Sequence, residues 1–111
     1  MDFSQDLIRG TVVPIVLALL EDAPMYGYEI VKVVNERTKG RFEWKEGTLY
    51  PCLHRLEADG LVRSAWREAP SGKRRKYYRV TRRGLAALAR HKEQWTEFAH
   101  GVNVLLLGEA V

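Results

Sequence analysis

A chain of 111 residues, 46% of them hydrophobic, has the length of one domain, and a domain that small gains from a partner subunit in burying apolar surface, so dimerisation is expected. A single cysteine, Cys52, excludes an internal disulfide; the longest apolar run, Val12 to Leu20, is broken by Pro14, too short for a membrane span and without a signal peptide's basic start, which points to a cytoplasmic protein with no membrane association. The net charge of +4 is modest but unevenly placed: Met1 to Val62 holds 7 basic and 10 acidic residues, Arg63 to Lys92 holds 11 and 1, and Glu93 to Val111 holds 0 and 3, whereas an ordinary solvated face mixes the signs, so the middle block has the footprint of a polyanion-binding surface.

Met1 to Arg9, with Phe3, Leu7 and Ile8, has the pattern of a short helix that Gly10 weakens or bends. Thr11 sets a capping hydroxyl three residues ahead of Pro14 and predicts a helix from Val12 to about Asp22. That helix is apolar on nearly every side through Ile15, Val16, Leu17, Leu19 and Leu20, so it is buried between its own domain and something further. After Ala23 and Pro24, the stretch Met25 to Gly40 gives a helix ending near Gly40, with Ile30, Val31, Val33 and Val34 on one side and Gly27 suited to close helix contact. Phe42 and Trp44 alternate with Glu43 and Lys45, enough for a very short strand or an extended connection.

Gly47 to Val62 is the stretch around which the rest is arranged. Thr48 can cap a helix, Pro51 then falls within its first turn, and the helix starts at about Leu49; Gly60 suits the left-handed position after its end. About 11 residues, or roughly 16 Å, lie comfortably in a DNA major groove. Leu49, Cys52, Leu53 and Leu56 make the buried stripe, and Tyr50, Pro51, His54, Arg55 and Ala58 fall outside it. Cys52 reads as a small buried hydrophobe. From Leu61 the period becomes extended: LVRSAWRE and RRKYYRVT are strand-like around the turn residues APSGK, a hairpin from Leu61 to Thr81. Three helices and a basic hairpin give the order of a winged helix-turn-helix, an α+β fold that is mainly α.

Thr81 can cap a last helix from Arg82 to Leu107, about 39 Å long, whose Leu85, Leu88, Trp95, Ala99, Val102 and Leu106 form a seam broken by Lys92, with Phe98 and Leu105 beside it and Gly101 weakening its continuity. Such a seam suits dimerisation. The chain thus divides into residues 1–81, a DNA-binding winged helix with an N-terminal helix contributing to the dimer, and 82–111, a C-terminal dimerisation helix, in one compact unit. Within the hairpin Lys73, Arg74, Arg75 and Lys76 stand at the tip, where each phosphate met releases counterions; sequence choice falls to Thr48, Tyr50 and Pro51 at the helix's leading end and to His54 and Arg55 one turn on. His91 and His100 lie nine apart, on opposite sides of a helix, and Cys52 has no second thiol, so no metal site or cofactor is expected. With no glycine-rich phosphate loop, nucleophile elbow or carboxylate pair, an enzyme is not expected either.

Three words, YGYEI at Tyr26 to Ile30, GTLYPCLHRLEADGLV at Gly47 to Val62 and GKRRKYYRVTRRG at Gly72 to Gly84, resemble the PadR family of bacterial transcriptional regulators in order and spacing. The resemblance covers nearly the whole chain and is closest to the smaller subfamily with one terminal helix, including its multidrug-binding members. It implies a homodimeric repressor on a pseudo-palindromic double-stranded DNA operator, with Tyr50 and the basic wing residues at DNA-contacting positions. It also implies release by a small hydrophobic or aromatic ligand. Trp95, preceded by Glu93-Gln94, matches by place a tryptophan that stacks on flat aromatic ligands at the dimer centre, which Leu88, His91, Phe98 and Leu7 would line. Ala99 departs from the pattern by offering no carboxylate one turn on, so planar apolar ligands fit better than cationic ones. The alternatives are a winged helix that binds protein partners, or one that binds DNA without sequence preference.

Overall fold

The computed structural model describes residues 3–111 and places them in the order α1 (Gln5–Arg9), α2 (Val12–Asp22), β1 (Met25–Tyr26), α3 (Gly27–Arg37), α4 (Glu46–Ala58), β2 (Val62–Glu68), β3 (Arg74–Val80) and α5 (Arg82–Leu107). The architecture is the winged helix expected, helical with a small sheet and a long last helix. Of the helix expected over Met1 to Arg9, Gln5–Arg9 forms, while Met1 and Asp2 lie outside the described residues. No helix among the described residues is long and apolar enough to cross a membrane.

The core is the meeting of apolar stripes: Val16, Leu17 and Leu20 of α2, Ile30 and Val34 of α3, Leu49, Leu53 and Leu56 of α4, Val62 and Tyr78 of the sheet, and Ala87 and Leu88 of α5. Helix α2 lies at its middle, packing on α4, α5 and β3. Thr11 is not its side-chain cap: the hydroxyl donates back to the carbonyls of Leu7 and Ile8 at 3.3 and 3.0 Å, tying α1 to α2. Helix α3 stops at Arg37, short of the expected Gly40. There the Thr38 hydroxyl bonds back to the Val34 carbonyl, and Lys39 and Gly40 turn left-handed.

Helix α4 starts at Glu46, three residues before the expected Leu49. Lys45 is the extended residue ahead of it, and its carbonyl already accepts from the amides of Thr48 and Leu49, so Thr48 is inside the first turn and does not cap. Pro51 is then an interior residue. It withholds one N–H, that owed to the carbonyl of exposed Gly47 where water can serve, and the burial of Leu49, Leu53 and Leu56 holds the helix through it. The far end is as expected: Gly60 turns left-handed at φ 76°, with Leu61 N–H on the Leu56 carbonyl (2.9 Å) and Gly60 N–H on that of Glu57 (3.0 Å), a Schellman motif.

Strands β2 and β3 pair from Val62↔Val80 to Glu68↔Arg74, closing at the tip through Ala69 N–H to Lys73 O. The sheet has a third member that the sequence did not announce: β1 pairs with β3 at Met25↔Tyr78 and Tyr26↔Tyr77, giving the order β1-β3-β2. Phe42 to Trp44, by contrast, is an irregular connection and not a strand, with buried Trp44 held through its backbone N–H, which donates to Asn35 Oδ1 at 3.3 Å. Thr81 caps α5 as expected, accepting from Gly84 N–H at 3.1 Å and donating to the Gly60 carbonyl at 2.7 Å. The helix runs unbroken through Gly101 to a left-handed Gly108. Its first turns belong to the protomer core, whereas Trp95, Phe98, Leu105, Leu106 and Leu107 project from its outer part uncovered.

Candidate nucleic-acid interface

Helix α4 lies alongside the hairpin. Near its C-terminal end Glu57 Oε2 accepts from both the N–H and the hydroxyl of Ser64 at the hairpin's base, while Glu57 Oε1 lies 3.9 Å from Lys76 Nζ. Toward its leading end Tyr50 and His54 share a cleft of about 390 Å³ with Tyr26, Gly27, Trp66, Arg74, Arg75, Lys76 and Tyr78. One concave surface therefore joins the outward side of α4 to the wing's cations.

Tyr50 is seated by a glycine. A Cβ at Gly27 would stand 2.6 Å from the Tyr50 hydroxyl oxygen and 2.7 Å from its ring, so only glycine leaves room for the ring against α3. Burial raises the Tyr50 pKa above its ordinary value, reinforced by Glu46 and opposed by Arg75, so the phenol stays neutral and able to donate. Burial, with Glu57 and Tyr50, raises that of Tyr78 likewise.

The residues singled out on α4 split between two sides. Tyr50 and His54 look into the wing cleft, whereas Thr48, Pro51 and Arg55 border a second depression with Gln5, Arg9, Val12, Val13 and Cys52. Pro51, His54 and Arg55 are exposed; Thr48 and Tyr50 are half-buried. Cys52 is half-buried, and burial raises its thiol pKa against a smaller opposing effect of Arg55, which disfavours the reactive thiolate.

The four cations expected at the tip are not equivalent. Lys73 and Arg74 are exposed there, but Arg75 and Lys76 are half-buried down the strand. The Arg75 guanidinium lies 5.2 Å from the Tyr26 ring centroid and its buried Nε has no partner among the described residues. Lys76 is held between Glu57 and the Tyr78 ring, 5.8 Å to its centroid. Of these four, Lys73 and Arg74 are the ones left free for a phosphate.

Trp66 joins this surface although nothing in the sequence singles it out. It faces Lys76 across the ladder, is 60% exposed and borders the same cleft, flat and apolar between cations. A tryptophan on a strand reads as core, and only the register shows it on the open side.

The residues expected around a ligand are divided. Trp95 and Phe98 stand 55% and 65% exposed with ring centroids 6.4 Å apart, His91 is half-buried near them, and Leu7 is exposed on α1. Leu88, at 2% exposure, is turned into the protomer's own core and does not join them. Among the described residues no group of three or more His, Cys, Asp or Glu side chains is placed to hold a metal ion.

A model of the transcriptional regulator PadR-like family matches residues 16–90. The transcriptional regulator Rv3488 of Mycobacterium tuberculosis is 41% identical over 70 residues, covering 63% of this chain and 64% of that one. A solved transcriptional regulator from Clostridium thermocellum superposes with a TM-score of 0.85 at 36% identity, over 94% of this chain and 98% of that chain. A PadR family regulator from Eggerthella lenta does so at 0.78 and 42%, over 91% and 86%.

Proposed function

The chain belongs to the PadR-like family of transcriptional regulators, and we propose that this DNA-binding regulator works as a homodimeric repressor of a pseudo-palindromic operator, relieved by a flat aromatic ligand. The observation that carries the reading is the single surface joining Tyr50 and His54 of α4 to the cationic wing. In a two-fold dimer the two α4 helices enter successive major grooves about 34 Å apart, with Tyr50, Pro51, His54 and Arg55 toward base edges and Lys73 and Arg74 on phosphates. Residues 1–81 read DNA in this arrangement. The outer part of α5, with α1 and α2, forms the subunit interface, which is supported by the apolar side chains α5 leaves uncovered. The ligand lies between Trp95 and its symmetry mate, bordered by His91, Phe98 and Leu7.

The test is discrimination. His54→Ala and Arg55→Ala are expected to change the affinity ratio between operator variants by about 1–3 kcal/mol at one position. Uniform losses on all sequences would remove both from base readout, and equal wild-type affinity for operator and random DNA would leave a regulator without sequence preference. For the ligand, micromolar binding of planar dyes is expected to vanish in Trp95→Leu; undiminished binding makes Trp95 a packing residue.

A further inference from the structure

We infer that the wing carries a second DNA-binding surface, on the side of the hairpin away from α4, and that it grips the phosphate backbone of a second duplex. The strand pairing places Arg63 directly opposite Arg79, with Arg67 farther along beyond Ala65 and Tyr77, while Arg75, opposite Arg67, turns over Tyr26 into the α4 cleft and stands apart from this group. Like charges directly opposite each other destabilise a sheet. At the hairpin's base Arg82 and Arg83, in the first turn of α5, join Arg63 and Arg79 around a hollow of about 400 Å³ whose other walls are Gly60 and Thr81. No carboxylate lines that hollow, and none of Arg63, Arg67, Arg79, Arg82 and Arg83 makes an ion pair among the described residues. Glu29 and Glu68 approach only the far end of the row, beside Arg67.

Strand alternation gives the direction. Ser64, between Arg63 and Ala65, bonds to Glu57 of α4, so Arg63 and Arg79 point to the opposite side. The Arg63/Arg79 pair is also five residues, about 17 Å, from the tip pair Glu68/Arg74. A duplex seated on α4 and touched by the tip leaves this surface open. The ligand class follows from the side chains. All five cations are arginine, whose planar fork meets phosphate oxygens two at a time. They form a row along the strands from Arg67 through Arg63 and Arg79 to Arg82 and Arg83, which suits the regular spacing of a nucleic-acid strand, where a compact anion would use only the hollow. Arg67 is steadied by the Tyr77 ring, 3.9 Å from its guanidinium carbon to the ring centroid.

The inference rests on DNA binding through α4 but not on its sequence preference, and the two fail separately. An operator duplex containing both half-sites is immobilised and saturated with the full chain, and capture of a second, labelled duplex is measured. Wild type is expected to capture it; Arg63→Gln/Arg79→Gln/Arg82→Glu is expected to need at least about tenfold more labelled duplex for the same capture, with a shallower salt dependence, while its affinity for a single operator changes less than about threefold. Arg82→Glu alone, where a carboxylate at a helix N-terminus favours folding, is expected to weaken capture in the same direction. Absence of capture by wild type, or capture by both variants equal to that of wild type, overturns the inference. So does an affinity gain from longer flanks on the operator without capture, which would assign the arginines to the same duplex. Loss of operator discrimination with capture intact would overturn the sequence-specific reading and leave this one standing.

Discussion

Glu57 ties α4 to the wing and at the same time holds back one of the wing's cations, so Glu57→Gln should move stability and DNA affinity in opposite directions. The amide keeps an oxygen for Ser64 but removes the charge from two hydrogen bonds, the N–H bond at 3.1 Å and that from the hydroxyl. A bond to a charged acceptor contributes about 1.5–3 kcal/mol and a neutral one about 0.5–1.5, so with the site partly open to water the folded state should lose about 1–2 kcal/mol, a fall of roughly 5–10 °C in Tm. Lys76, freed from a pair whose side chains are 37% and 35% exposed, recovers at most about 1 kcal/mol for a phosphate, or about fivefold in affinity. The log–log salt slope should steepen by up to about 0.9. Thermal unfolding by circular dichroism and DNA titrations at several salt concentrations check both halves. A variant that unfolds earlier yet binds DNA no more tightly would refute the idea that Glu57 restrains Lys76.

Arg74→Glu, at the exposed tip, should weaken binding to every DNA sequence and flatten the salt slope by at least about 0.9; an unchanged slope would take the tip off the backbone. Gly27→Ala should displace the Tyr50 ring by almost 1 Å into the wing cleft, lowering operator affinity several-fold while the melting temperature shifts little, because the ring has room to move; wild-type affinity would show that its seat is immaterial. Gly84→Ala has no such escape. Its Cβ would overlap the Leu61 carbonyl and lie 2.6 Å from a Val80 methyl, so denaturant unfolding should show a loss of at least about 3 kcal/mol. Phe98→Glu, on a side chain the protomer does not cover, should leave the helical spectrum intact and shift sedimentation toward monomer; an unchanged dimer would place the interface elsewhere.

The long periodic pieces were legible because each states its own burial. The stripe of Leu49, Leu53 and Leu56, the hairpin around APSGK, the Thr81 cap and the left-handed Gly60 stand where their chemistry put them. The start of α4 was not legible, because a threonine followed three residues on by proline looks the same whether the threonine caps a helix or sits inside its first turn. Only the extended backbone at Lys45 decides. Strand β1 was invisible for a different reason: two residues carry no period, and Met25 and Tyr26 are strand only because β3 offers them a free edge. The charged residues were legible as a block but not as individuals. Which arginine is stacked, which lysine is paired and which face Arg63 shares with Arg79 depend on register, a relation between strands that neither strand contains.

The last helix anchors in the core at Ala87 and Leu88 and continues unbroken to Leu107, with its outer side chains uncovered. Mechanically it is a lever with its fulcrum inside the reading domain. At about 39 Å for 26 residues, a tilt of only about 5° between its ends is a displacement of roughly 3.4 Å, close to the rise of one base pair. A wedge too thin to disturb the core, set against the free arm, would be enough to put α4 out of step with the major groove proposed for it.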